Sequence, residues 1–211
     1  MNADARPLLR GVLHQGALAV AIVVGVVLVA ETDGGRRIAA AAAFAASAVT
    51  MLAISTAYHR ITWTPRARLW MRRADHAGIY ILIAGTYTPV GLLALHGALQ
   101  TVVLAIVWAG AATAILLKLV WVHAPKWLSV VIAVALGWVG VAAIPAIIRA
   151  DGVTPVVLIA AGGLAYTLGG IVYGLRRPDP FPRVFGYHEL FHALTLVGLA
   201  LQYVAIVFFV V

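Results

Sequence analysis

His188-Glu189-Leu190-Phe191-His192 opens the last long apolar run of the chain, and no charged residue follows it before the C-terminus. A run of that length reads as a membrane-spanning helix of about 20 residues. Residues four apart share one face of a helix, so both imidazoles can point at a single ion. Zinc is the first expectation. Neutral imidazole nitrogens suit Zn²⁺, and a chain with no cysteine leaves His, Asp and Glu as its tight ligands. Two histidines do not complete such a site, so the rest of the chain must bring further ligands to the same depth.

Composition sets the class in which that search takes place. Of 211 residues, 64% are hydrophobic and 10% charged, and the mean hydropathy is +1.02. These values describe a polytopic membrane protein and exclude a water-soluble domain. Without cysteine there is no disulfide framework. Apolar runs long enough to span a bilayer lie near 11–30, 38–59, 77–95, 98–118, 127–148, 154–175 and 187–211. The expected fold is therefore all-α, with seven transmembrane helices in a single domain, 1–211. The first run exceeds a signal-peptide core, and Glu31-Thr32-Asp33 follows it without a small-residue cleavage site, so it is counted as a helix. His96-Gly97 leaves so little connection that the third and fourth helices must be antiparallel neighbours.

The net charge of +8 is not spread evenly. Arg6, Arg10, Arg60, Arg66, Arg68, Arg72, Arg73, Lys118, Lys126, Arg176, Arg177 and Arg183 fall on one side of the membrane, and Arg36, Arg37 and Arg149 on the other. In short loops this split predicts a cytoplasmic N-terminus, cytoplasmic even-numbered loops and an outward C-terminus. The basic excess then records topology in the cell membrane and contact with anionic inner-leaflet lipids, each juxtamembrane Arg or Lys contributing about 1 kcal/mol. It does not mark nucleic-acid binding.

With that topology, His188 and His192 enter the seventh helix from the cytoplasmic side. His59 ends the second helix at the same level, and Ser55 precedes it by one turn on the same face. Asp75 and His76 are expected to begin the third helix there as well. Ionisable groups inside a membrane are functional candidates by default. His76 points about 100° away from Asp75 around a helix and is left out of the ligand set.

Together these residues carry a resemblance. Ser55-Thr56-Ala57-Tyr58-His59, Asp75 in the next helix and His188-x-x-x-His192 in the seventh resemble the signature of the hemolysin III family. That family is the bacterial branch of the progestin and adiponectin receptor superfamily. The resemblance spans nearly the whole chain. It implies seven helices with a cytoplasmic N-terminus and zinc held by His59, His188 and His192, with Ser55 and Asp75 beside it. It also implies kinship with alkaline-ceramidase-like membrane hydrolases. Three neutral histidines leave the fourth zinc position open, and open sites are the catalytic kind. Asp75 could take a proton from a water there, and Ser55 could orient His59, the water or a substrate oxygen. The expected activity is hydrolysis of a lipid amide or ester.

Three other readings stand beside this one. His188-Glu189-x-x-His192 also matches the zincin motif, in which Glu189 would be a general base. However, the motif stands at the start of the last helix, leaving no downstream helix for a third ligand. Glu189 is otherwise expected to be an interfacial charge near Arg183 or Arg176. A sensor of membrane state, or a cytolytic pore former as the family name suggests, is the non-enzymatic alternative. A pore should show a polar stripe through the bilayer, whereas the ionisable groups here gather in one leaflet.

The remaining polar residues are given structural roles. His14, His96 and His123 are read as interfacial or hydrogen-bonded, Trp63, Trp70, Trp121 and Trp127 as interface belts, and Trp108 and Trp138 as packing residues. Gly170-x-x-x-Gly174 and the Ala-rich stretch 39–46 are read as close-packing faces. Pro89 and Pro145 are expected to disturb their helices and open a lateral cavity. Pro178, Pro180 and Pro182 are expected to keep the last cytoplasmic loop extended.

Overall fold

The computed structural model describes residues 7–210, so Arg6 and Val211 lie outside the described residues. Eight α-helices and one 3-10 turn account for nearly all of the chain: α1 Val12–Ala30, α2 Gly35–Arg60, α3 Pro65–Leu93, α4 Gly97–Val120, α5 Lys126–Trp138, the 3-10 turn Val139–Ala143, α6 Ile144–Asp151, α7 Val153–Leu175 and α8 Tyr187–Val210. Among the described residues, seven spans are long and apolar enough to cross a membrane, with α5, the 3-10 turn and α6 forming the fifth. No strand is present among them; one antiparallel bridge joins Phe181 and Phe185.

One boundary and one loop differ from what the sequence leads one to expect. The third helix begins at Pro65, not near residue 77. Thr64 caps it, its hydroxyl accepting from the Ala67 amide at 3.4 Å, and Pro65 fills the first turn, where a missing amide hydrogen costs nothing. The arginines of 66–73 are therefore helical, and Asp75 sits about three turns inside α3. The last interhelical loop is not simply extended either. Phe181 and Phe185 exchange backbone hydrogen bonds at 3.0 and 2.8 Å, folding Pro182 into a tight turn.

The fifth span breaks at the 3-10 turn, and a side chain from α3 satisfies the break. The Tyr87 hydroxyl donates to the Gly137 carbonyl at 2.5 Å and accepts from the Gly140 amide at 2.7 Å. In a bilayer a broken helix is tolerated only where freed backbone groups find such partners. Pro145 lies just beyond, in the first turn of α6. Pro89, by contrast, sits within an α3 that continues to Leu93.

Packing follows the small residues. Ala40 and Ala41 are fully buried in the bundle's main apolar cluster, with Phe44, Leu52, Leu82 and Leu95. Gly170 and Gly174 face Val130 of α5, where an added Cβ would lie 3.2 and 3.6 Å from its methyl groups. On another face of α7, Gly162 lets the Gly198 carbonyl of α8 approach within 3.1 Å of where a Cβ would stand. The close approach expected for the glycine pair is therefore made to α5, while a separate glycine admits α8.

At one end of the bundle α1 starts, α2 stops, α3 starts and α8 starts. The Leu8 and Leu9 amides donate to the Arg183 and Val184 carbonyls at 3.0 and 3.1 Å. Gly11, at φ +78°, follows; a Cβ there would stand 2.6 Å from the Cβ of His59, so only glycine admits α2 so close to the start of α1. This clasp gathers the polar residues.

Candidate metal centre

His59 lies in the last turn of α2, His188 in the first turn of α8, and His192 one turn further on. Their candidate ligand nitrogens all fall within 4.8 Å of one another, and the Nε2 atoms of His59 and His188 are 3.3 Å apart. Ligands at about 2.05 Å in a tetrahedron stand about 3.3 Å from each other. The His59–His188 spacing thus already suits zinc, and His192 brings a third nitrogen within 4.8 Å of the other two. The three side chains are buried or half-buried, and imidazole nitrogens are ligands that zinc takes readily. The donor set fits a zinc ion.

Around this trio the structure assembles a polar network. Asp75 of α3 places Oδ2 4.0 Å from His59 Nε2, and Ser55 is a hydrogen-bonding neighbour of its carboxyl group. The Ser55 hydroxyl also meets His14 Nδ1 at 2.8 Å. His14 is 2% exposed, and its ring stacks on that of His192 with centroids 3.8 Å apart and planes 8° from parallel. Its Nε2 is buried without a hydrogen-bond partner. From sequence His14 is expected to be hydrogen-bonded or interfacial. The hydrogen bond is there, but the residue is buried at the centre of the site. A lone histidine in an apolar first helix was itself the signal.

Ser55, His59, Asp75, His188 and His192 are therefore brought together from three helices. His76 remains outside the cluster, with its Nδ1 buried and unpartnered. His96 and His123 are exposed at the helix ends, as expected of interfacial residues.

Glu189 departs from expectation. It is 1% exposed and pairs with Arg10 of the N-terminal clasp, not with Arg183 or Arg176. Its other oxygen accepts the Gly186 amide at 2.9 Å. A glutamate reaching back to the residue before the first turn is half of a capping box. Engaged on both oxygens, this carboxylate has no role to spare for a metal-activated water, which weighs against the zincin reading. Glu189→Gln should lower the thermal midpoint, by a loss of about 2 kcal/mol for a hydrogen-bonded charge pair, while metal content per folded chain stays unchanged. A Glu189→Gln variant of unchanged thermal midpoint would free the carboxylate for another role.

The cluster opens on a cavity of about 230 Å³ between the helices. His14, Ser55, Asp75, His188 and His192 line one end, and Ile147, Val156 and Ile159 are among the apolar residues that line it elsewhere. Tyr87, the residue that patches the broken fifth span, is also in its wall.

A family model described as Haemolysin-III related matches residues 3–203. The chain belongs to the hemolysin III family. It is 29% identical over 168 residues to the Hemolysin-3 homolog of Bacillus subtilis (strain 168), covering 80% of this chain and 76% of the relative. It is also 29% identical over 188 residues to Hemolysin-3 of Bacillus cereus, covering 88% and 83%. A rice relative, the Heptahelical transmembrane protein ADIPOR2 of Oryza sativa subsp. japonica, is 29% identical over 181 residues, 77% of this chain and 78% of its own. That third relative is named for seven helices, the number of spans found in this hemolysin III protein. The family model starts before the first described residue, so it takes in the clasp as well as the helices.

Proposed function

We propose that this hemolysin III protein is a zinc-dependent hydrolase of a lipid amide or ester, with its site near the cytoplasmic leaflet. The observation that carries the proposal is the meeting of two environments in one cavity. His188 and His192 of the three-histidine cluster line one end with the Asp75 carboxyl group, and apolar side chains of the bundle line much of the remainder. An acyl chain fits the apolar part and presents its carbonyl to the polar end.

His59, His188 and His192 hold the metal in this reading. When bound, zinc supplies Lewis acidity, polarising an acyl carbonyl and acidifying a nearby water. The chain's own groups do the remaining work. Asp75 accepts the proton of the attacking water through its carboxylate and returns it to the leaving amine or alkoxide. Ser55 donates to Asp75 and fixes its orientation. His14 holds the Ser55 hydroxyl from the far side and supports the His192 ring by stacking. The helices around the cavity exclude bulk water, which strengthens every one of these interactions.

Zinc-loaded protein should release fatty acid from a ceramide or a phospholipid ester in detergent micelles. Release from neither, at full zinc occupancy, would leave the family's sensor reading in its place. For a pore, the polar lining should continue through the membrane, and the ionisable residues of this cavity gather where the histidines are. The orientation has its own test. The two ends of the bundle differ in basic residues, and a reporter at the C-terminus should be active only outside the cytoplasm, one in the Ile61–Thr64 connection only inside. The reverse pattern would move the site to the outer leaflet.

A further inference from the structure

The structure buries a lysine that the metal centre does not use. Lys118, one of the cations expected at the loop, is 1% exposed and lines the cavity. Arg72 of α3 and Lys126 of α5 line it too, at the same end as Asp75 and His188. His76 lines the same cavity, and its Nδ1 is buried and unpartnered. Arg73 ties α3, which carries Arg72, to α4, which carries Lys118, its Nε donating to the Leu119 carbonyl at 3.0 Å.

Among the described residues, none of the three cations has a carboxylate partner within 4.0 Å. The ion pairs among the described residues are Arg10–Glu189 and His59–Asp75. Lys126 is held instead by tyrosines: its Nζ meets the Tyr187 hydroxyl at 3.2 Å and lies 4.5 Å from the Tyr173 ring centroid. Lys126 is also the first residue of α5, where the helix dipole disfavours a cation and favours an anion. Helix stability therefore does not explain it, and membrane-surface attraction does not explain a lysine enclosed like Lys118. Like charges crowded in a low-dielectric cavity are costly unless a counter-charge joins them.

We propose that Arg72, Lys118 and Lys126 form an oxyanion subsite for a phosphate-bearing headgroup, next to the metal centre in the same cavity. A phosphomonoester carries about 1.5 to 2 negative charges and matches three cations better than a carboxylate does. The proposal rests on the lipid-substrate reading above and adds the headgroup class; a phosphate on a lipid and free phosphate share the chemistry.

Full-length, zinc-loaded protein should be titrated with dioctanoyl phosphatidic acid, dioctanoylglycerol and inorganic phosphate in detergent, reading thermal shift and zinc content. Phosphatidic acid should bind at least about tenfold more tightly than the uncharged diacylglycerol. Lys118→Met and Lys126→Gln should each weaken it by about tenfold with zinc content unchanged, which shows that the fold survives. Arg66→Gln, at an exposed position on the same end of the bundle, should have no such effect. Inorganic phosphate displacing phosphatidic acid at equal concentration would keep the subsite and assign it to the free anion. Equal binding of the two lipids, no effect of Lys118→Met, or an equal loss in Arg66→Gln would overturn the proposal. Binding is read without turnover, so a protein that shows this pattern and hydrolyses nothing keeps the subsite and loses the hydrolase.

Discussion

Purified protein should carry close to one zinc per chain, and His59→Ala, His188→Ala or His192→Ala should each remove most of it. The expectation rests on the mutual approach of the three ligand nitrogens within 4.8 Å. Removing one of three imidazoles leaves two, and two do not hold zinc against a chelator. Metal that binds only the folded form stabilises it by mass action, about 2.7 kcal/mol at a hundredfold excess over the dissociation constant. Each alanine variant should therefore melt at the temperature of the chelated wild type, and added zinc should not rescue it. His14→Ala separates ligand from support. It removes a stacked ring and the partner of Ser55, so zinc should stay while activity falls. If His14→Ala lost zinc as fully as His192→Ala, His14 would belong in the ligand set. If His59→Ala kept full occupancy, the third ligand would lie elsewhere.

The parts of this site that could be read from sequence are those with a local period. His188 and His192 share a face by their spacing, and His59 falls at a helix end because the apolar run stops there. The seven spans follow from hydropathy alone. What escaped the reading was set by contacts between distant segments. Asp75 was expected at the start of its helix because the arginines before it interrupt the apolar run. Thr64-Pro65 had marked the true start, but a capping signal is weaker than a hydropathy edge. His14 has no spaced partner in its own helix; its partners are Ser55 and His192, 41 and 178 positions away. Proximity in sequence points Glu189 at the loop arginines, yet the pair forms with Arg10 across 179 positions because the N-terminal clasp docks on the last loop. The broken fifth span was half legible: Pro145 announced a disturbance, while the hydroxyl that repairs it comes from Tyr87 on another helix.

Asp75→Asn should give a loaded, folded and inactive protein. The carboxyl oxygen stands 4.0 Å from His59 Nε2, a distance at which it can meet a water held at the cluster without replacing a histidine as ligand. Asparagine keeps the size and one acceptor oxygen, so Ser55 retains a partner and packing is undisturbed. The amide cannot accept a proton, and the step assigned to Asp75 is lost. Zinc affinity should fall by no more than the 10- to 100-fold typical when a group behind the ligands is removed, leaving the site filled at micromolar zinc. Turnover should fall by at least about a hundredfold, the lower range for a positioned acid or base. Ser55→Ala should fall between wild type and Asp75→Asn, because it loosens the orientation of the carboxylate and keeps the base. A purely structural zinc clamp predicts a different pattern: Asp75→Asn would lower metal affinity and melting temperature together, and wild-type protein with full zinc would release no fatty acid from any ceramide or phospholipid. That result would make the histidines a pin between α2 and α8, with the cavity left to bind a lipid and not to cleave it.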